Sequence, residues 1–259
     1  MFKVKPTIIL GGPGTGKTTK LISIVMKEIE SGVDPQHIAY VSFTKQAAYG
    51  ARKRMDLTEK QTPWFRTLHS MAFRKLGMSR TEVMDHSHYE KVCSMLGMRF
   101  TCFVDLEAPA YGPEGNKCLA IIEYCRNTLS DLKTAWANHG SGIDWFKLKR
   151  FNDTLIDYKR DMNVIDYSDM LEKFVGAEST LGVEVAIIDE AQDLTPLQWL
   201  VCKTAFKDCK RIYIGGDDDQ AIYKWSGADV NAFINLEGDI EILKTVSYTH
   251  LTLPTSNGV

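Results

Sequence analysis

The sequence has little that would tie it to a secreted, membrane-bound or metal-rich class. Its six cysteines, at 93, 102, 118, 125, 202 and 209, form no C-x-x-C pair and show no zinc-like spacing with histidine. That argues against a disulfide framework and a structural zinc site. His86 and His88 lie two apart with no further ligand nearby, so a surface loop is expected there and not a metal site. No run is apolar and long enough to span a bilayer, and no signal peptide or lipidation signal is visible. The chain reads as cytosolic with reduced thiols. Internal repeats and low-complexity tracts are also lacking. So is any strong charge imbalance: the net charge is −2, and the whole-chain balance does not announce a nucleic-acid partner.

What is present is an ordinary globular composition, 44% hydrophobic and 25% charged, over 259 residues. That is enough for one large domain or two small ones. Charge is uneven locally. From Ser42 to Arg80 there are nine lysines or arginines against Asp56 and Glu59, a local net of +7. Such a segment can bind phosphates, although a solvated helix face is the alternative.

Strand-like and helix-like stretches alternate at both ends of the chain. Thr7–Leu10, Ile38–Phe43 and Phe65–Thr67 read as strands, and Lys17–Ser31 and Lys45–Met55 as helices. From Val183 the pattern resumes with a strand to Ile188, a helix Pro196–Phe206, a strand Arg211–Ile214 and a turn holding two glycines and three aspartates. This alternation predicts an α/β fold with a parallel sheet and right-handed crossovers. Between Gly77 and Gly182 the texture is helical, with Tyr124, Trp136, Trp145, Phe146, Phe151 and Tyr158 at scattered helical spacings. A mostly helical subdomain inserted into the α/β core is the economical reading.

Two segments carry chemistry. Ile8-Ile9-Leu10 runs into Gly11-Gly12-Pro13-Gly14-Thr15-Gly16-Lys17-Thr18-Thr19, which satisfies G-x-x-x-x-G-K-[ST] between a strand and a helix. Backbone N–H groups of such a loop turn inward on phosphate oxygens, and the helix adds its positive end. Lys17 is expected to reach the β- and γ-phosphates and Thr18 to ligate Mg²⁺. The second segment is Val185-Ala186-Ile187-Ile188 followed by Asp189-Glu190-Ala191-Gln192-Asp193. Here Asp189 is placed to hold Mg²⁺ and Glu190 to deprotonate an attacking water. The competing role for these acids is capping the helix at Thr195-Pro196. Together the two segments make a nucleotide triphosphatase that uses Mg²⁺.

Asp-Glu-Ala-Gln-Asp after an apolar strand resembles the acidic box of superfamily 1 DNA helicases of the UvrD/Rep/PcrA type, and other segments fall in that family's order. Val41-Ser42-Phe43-Thr44-Lys45-Gln46-Ala47-Ala48 is similar to its T-x-x-A-A segment, and Arg66-Thr67-Leu68-His69-Ser70 to its T-x-H-S/G segment. Asp166-Tyr167-Ser168-Asp169-Met170-Leu171 resembles D-[FY]-x-D-[ML]-L, and the run from Gly216 to Trp225 resembles G-D-x-D-Q-S-I-Y. The resemblance implies a RecA-like P-loop fold, ATP as the nucleotide, and a 3′-to-5′ motor on single-stranded DNA that opens duplex at single/double-strand junctions. By residue it implies Gln220 as the γ-phosphate sensor beside Glu190 and Lys17, and Gln192 and Asp193 as coupling residues. Thr44, Lys45, His69, Tyr223 and Trp225 would lie on the DNA path, Trp225 stacking a base. A core aromatic is the alternative for Trp225, and a core histidine for His69. A cytoplasmic protein, bacterial or phage-encoded, is implied.

The resemblance divides the chain into a core at 1–76 and 183–245 and a helical insertion at 77–182. It also exposes departures. The family's adenine-reading glutamine lies upstream of the first strand, and the chain begins six residues before that strand. Ser226 stands where many members have arginine, and Thr249 where L-x-x-N-Y-R would place one. The family's second RecA-like domain is expected to lie outside this chain. The tail at 246–259 resembles translated adapter read-through and is expected to be non-native. Two readings compete with a motor half: an ATP- and DNA-binding fragment with little turnover, and another P-loop machine such as an AAA-type ATPase or nucleotide kinase. The segment Gly216-Asp217-Asp218-Asp219-Gln220 and the long insertion argue against the last.

Overall fold

The computed structural model describes residues 2–42, 45–101, 112–140, 142–217 and 227–243, with backbone alone at 45–47. In chain order its elements are β1 (Thr7–Leu10), α1 (Lys17–Glu30), β2 (Ile38–Val41), α2 (Lys45–Arg54), β3 (Trp64–Arg66) and α3 (Leu68–Lys75). Five helices follow: α4 (His86–Met95), α5 (Glu114–Asn127), α6 (Leu132–His139), α7 (Trp145–Met162) and α8 (Tyr167–Gly176). The chain then returns through β4 (Val185–Ile188), α9 (Pro196–Ala205), β5 (Arg211–Gly216), α10 (Val230–Ile234) and β6 (Asp239–Ile242).

The six strands make one sheet in the order β3-β2-β4-β5-β1-β6, and every pairing is parallel. This is the expected α/β architecture of a P-loop protein. β2 and β4 are buried at every position because helices cover both faces. Alternate residues sort to opposite sides. Ile9, Ile38, Tyr40, Val185 and Ile187 pack with Leu21, Val25 and Ala51 of α1 and α2. Ile8, Ala39, Val41, Ala186 and Ile188 pack with Met71, Met170, Phe174 and Leu197 of α3, α8 and α9. A separate cluster runs from Met84 to Val164 and includes Val92, Cys118, Ile122, Leu148 and Phe151 of the helical region. α8 lies within the expected insertion by sequence, yet its apolar side belongs to the cluster under the sheet.

Three local expectations need correction. Gly215 and Gly216 extend β5 and do not belong to the turn after it. A Cβ at Gly215 would sit 2.7 Å from Leu21 Cδ1 and one at Gly216 2.4 Å from the Phe233 ring, so the strand needs glycine where helices close on it. β6 was not expected at all. Its sequence alternates acid and isoleucine, and it lies at the sheet edge with Ile240 and Ile242 exposed. His86 and His88 lie in the first turn of α4 and not on a loop, with Asp85 as N-cap and the His88 ring completing the capping box.

Candidate active site

Because all strands run parallel, the loops after β1, β2, β4 and β5 emerge at one edge of the sheet. The loop after β1 turns through Gly14 and Gly16, at φ +72° and +88°, where a side chain would be strained. The Thr15 hydroxyl and N–H both donate to Gly12 O, at 2.8 and 3.3 Å, closing the turn. Gly11 N donates to Gly216 O, tying the loop to β5. α1 begins with Gly16 as N-cap, without a side-chain cap or an acid in its first turn. Its N-terminal N–H groups thus have no carboxylate of their own turn competing with an anion. Buried Lys17 donates to Gly11 O at 2.6 Å and Gly12 O at 3.2 Å, and lies 3.8 Å from Asp217 Oδ2.

Across the edge, Asp189 is 2% exposed. Its Oδ2 accepts from Tyr40 OH at 2.6 Å and from the Thr18 hydroxyl at 3.3 Å, and its Oδ1 from Glu190 N at 3.1 Å. Burial pushes this carboxyl above its ordinary range, the Glu190 charge adds to that, and the hydrogen bonds oppose it. The same burial, reinforced by Asp189, pushes the Tyr40 phenol strongly upward, so it stays a donor. Thr18 and Asp189 are hard oxygen ligands facing each other, a donor set that suits Mg²⁺.

Glu190 holds a left-handed backbone, φ +55°. For a residue with a Cβ this costs about 1–3 kcal/mol, and such strain concentrates at functional positions. Gln192 reaches back to it, donating Nε2 to Glu190 Oε2 at 2.9 Å and accepting at Oε1 from Asp217 N at 3.1 Å. One amide therefore joins the acidic box to the end of β5. Asp193 is buried, its Oδ1 has no hydrogen-bond partner, and burial followed by the Glu190 charge pushes its carboxyl up to about 6. Helix α9 is capped by Thr195 in a capping box with Gln198, which removes capping as the role of Asp189 and Glu190.

Of the residues expected on the DNA path, Thr44, Tyr223 and Trp225, and the sensor Gln220, lie outside the described residues, as does the Lys45 side chain. His69 meets Tyr167 edge-on at 5.5 Å, and burial lowers its pKa to about 4, so the ring is neutral near pH 7. The basic segment is partly committed to structure. Arg52 donates to Phe65 O and lies near Glu59; Arg66 binds Pro63 O, Ser70 and Glu59; Arg74 stacks over Trp64 at 5.9 Å. Lys53, Arg54, Lys60, Lys75 and Arg80 are exposed. Sequence reasoning missed Tyr40 and the backbone contact of Gln192 with Asp217. A tyrosine amid the aliphatics of β2 was the available signal for the first.

A model of the UvrD/REP helicase N-terminal domain matches residues 2–241. The chain belongs to that family. It is 28% identical over 276 residues to a probable DNA helicase II homolog of Rickettsia conorii, aligning 96% of this chain with 41% of that one. It is 26% identical to the ATP-dependent DNA helicase Rep of Escherichia coli, over 95% of this chain and 38% of Rep. With PcrA of Staphylococcus epidermidis the identity is 24%, over 93% and 35%. The chain thus spans about two fifths of the length of these UvrD-type relatives. Among the described residues no helix is long and apolar enough to cross a membrane, and no His/Cys/Asp/Glu group has the arrangement of a metal cluster. The described cysteines are buried free thiols.

Proposed function

We propose that the chain is the N-terminal motor half of an ATP-dependent DNA helicase, coupling hydrolysis to 3′-to-5′ movement on single-stranded DNA and opening duplex at junctions. The observation that carries this reading is the approach of Thr18 to Asp189, 3.3 Å apart across the cleft and 171 residues apart in sequence. Gly11 to Thr19 seat the triphosphate, with Lys17 turning from the loop carbonyls to the β- and γ-phosphates. Thr18 and Asp189 would hold Mg²⁺, which neutralises charge on the phosphate oxygens. Glu190 takes the proton of the attacking water, and Gln220 reads the γ-phosphate. Gln192 and Asp193 pass that state to the segment after β5. Thr44, Lys45, His69, Tyr223 and Trp225 bind the strand. Core and insertion divide at 77 and 182, and a second RecA-like domain of the whole protein supplies arginines to the γ-phosphate. A bacterial cytoplasm, with a bacterial or phage gene, is the proposed setting.

The share of its relatives that the chain spans favours a second reading for the chain taken alone: ATP and DNA binding with little turnover. Arginine fingers are worth about 10³–10⁵ in rate. An ATPase assay with and without single-stranded DNA separates these readings. Stimulation by DNA supports the motor, and binding of both ligands without turnover supports the second reading. Hydrolysis indifferent to DNA would overturn the motor reading.

A further inference from the structure

We propose that Tyr40 is a positioning residue of the hydrolytic centre, acting through Asp189 to set how well Thr18 and Asp189 hold a divalent cation. This deepens the reading above and rests on it. Tyr40 lies on β2, with β3 and β4 on either side, and is 0% exposed. A buried phenol is costly unless its hydroxyl finds a partner. Here the partner is a catalytic carboxylate and not a backbone carbonyl, 149 residues away in sequence.

The register explains the contact. Tyr40 pairs with Ile187, and both side chains lie on the face covered by α1. Asp189 follows two residues beyond Ile187, so it points to the same face one step nearer the catalytic edge. A phenol is long enough to bridge that diagonal, where an aliphatic side chain is not. The ring is fixed against Phe65 at a centroid distance of 5.7 Å and 28° between planes.

Asp189 Oδ2 thus has two donors of unequal strength. Tyr40 is at 2.6 Å and Thr18 at 3.3 Å, so the shorter bond fixes the carboxylate rotamer. A carboxylate oxygen offers about two lone-pair directions. Tyr40 takes one from the β2 side and leaves the other facing Thr18, where a cation shared by the two residues would bind. With Glu190 N on Oδ1, the carboxylate is held from both sides and pays no reorientation when the cation arrives.

The test is Tyr40→Phe, which keeps the ring and its packing on Phe65. Binding of a fluorescent ATP analogue is titrated with Mg²⁺ at fixed nucleotide, and melting is recorded without metal. Tyr40→Phe is expected to raise the half-saturating Mg²⁺ concentration about tenfold, since hydrogen bonds to charged groups at metal sites have effects of that order. Metal-free nucleotide binding should stay near wild type, and the fold should persist with a modestly lower melting temperature, because Glu190 N and the Thr18 hydroxyl still donate to the carboxylate. In an Asp189→Asn background the same change should add nothing. Superimposable Mg²⁺ curves for wild type and Tyr40→Phe would overturn the inference alone. So would loss of fold in Tyr40→Phe that Asp189→Asn rescues, because the contact would then serve stability only. A wild-type chain whose nucleotide binding ignores Mg²⁺ and survives Lys17→Ala would overturn both this inference and the reading beneath it.

Discussion

Glu190 gathers the site's chemistry at the residue scale. Its charge raises both Asp189 and Asp193, its backbone is left-handed, and its carboxylate is aimed by Gln192. Glu190→Gln should keep nucleotide binding and lower hydrolysis by about 10²–10⁴, the usual contribution of a general base. Unchanged turnover in a steady-state assay would remove it as the base. Two other residues oppose each other in pH. His69 titrates near 4 in the fold and near 6.5 unfolded, so the unfolded chain binds more protons between these values and stability rises with pH. Asp193 titrates near 6 in the fold against 3.8 unfolded, so the folded chain binds more protons there and stability falls as pH rises. Each slope is at most about 1.4 kcal/mol per pH unit. His69→Phe, which can still pack on Tyr167, should leave the falling slope exposed between pH 4 and 6. Asp193→Asn should leave the rising one. Urea titrations at several pH values read both, and identical slopes in the two variants would contradict the assignment.

At the element scale the join between α5, α7 and α8 stands out. Arg126 of α5 binds Asp166 and Glu172 through paired hydrogen bonds and also Asp169, while Lys159 of α7 reaches Asp166 and Asp169. Asp166 and Asp169 are also the capping box of α8. The D-[FY]-x-D-[ML]-L resemblance therefore has a physical content: its acids start a helix and anchor two others, while Met170 and Leu171 enter the cluster under the sheet. Arg126→Met should cost about 2–4 kcal/mol, because three carboxylates lose a partner in a half-buried setting. Urea denaturation checks the loss, and hydrogen exchange should quicken first in the opening turn of α8. A loss under about 0.5 kcal/mol would make the cluster a surface network of little weight.

For the whole molecule, the parallel sheet is what makes a site from distant segments. It sets Lys17, Tyr40, Asp189 and Asp217 at one edge although they span 200 residues. A ligand bound there bridges loops from several strands and favours the folded state by mass action. Mg²⁺-ATP at a hundred times its dissociation constant should stabilise the chain by about 2.7 kcal/mol. Thermal melting with and without Mg²⁺-ATP measures this. Lys17→Ala should abolish the shift, and a shift that persists would place the nucleotide elsewhere.

The strand cores and the two chemical loops were legible in the sequence, because a strand buried on both faces must be apolar throughout and a phosphate loop needs glycine at fixed positions. Val185–Ile188 carries that signature in all four residues, and β1 carries it in Ile8-Ile9-Leu10 after Thr7. β6 was not legible: its isoleucines stay exposed, and only the neighbouring β1 makes it a strand. Nor was the length of β5, where glycines that read as a turn are required by Leu21 and Phe233. The sequence by itself determined which loops are the candidates for the proposed chemistry, since Lys17, Thr18, Asp189 and Glu190 stand in local patterns. Tertiary structure alone decided which side chains support it, because strand order and register bring Tyr40 onto Asp189 and Gln192 onto Asp217, contacts that no local pattern encodes.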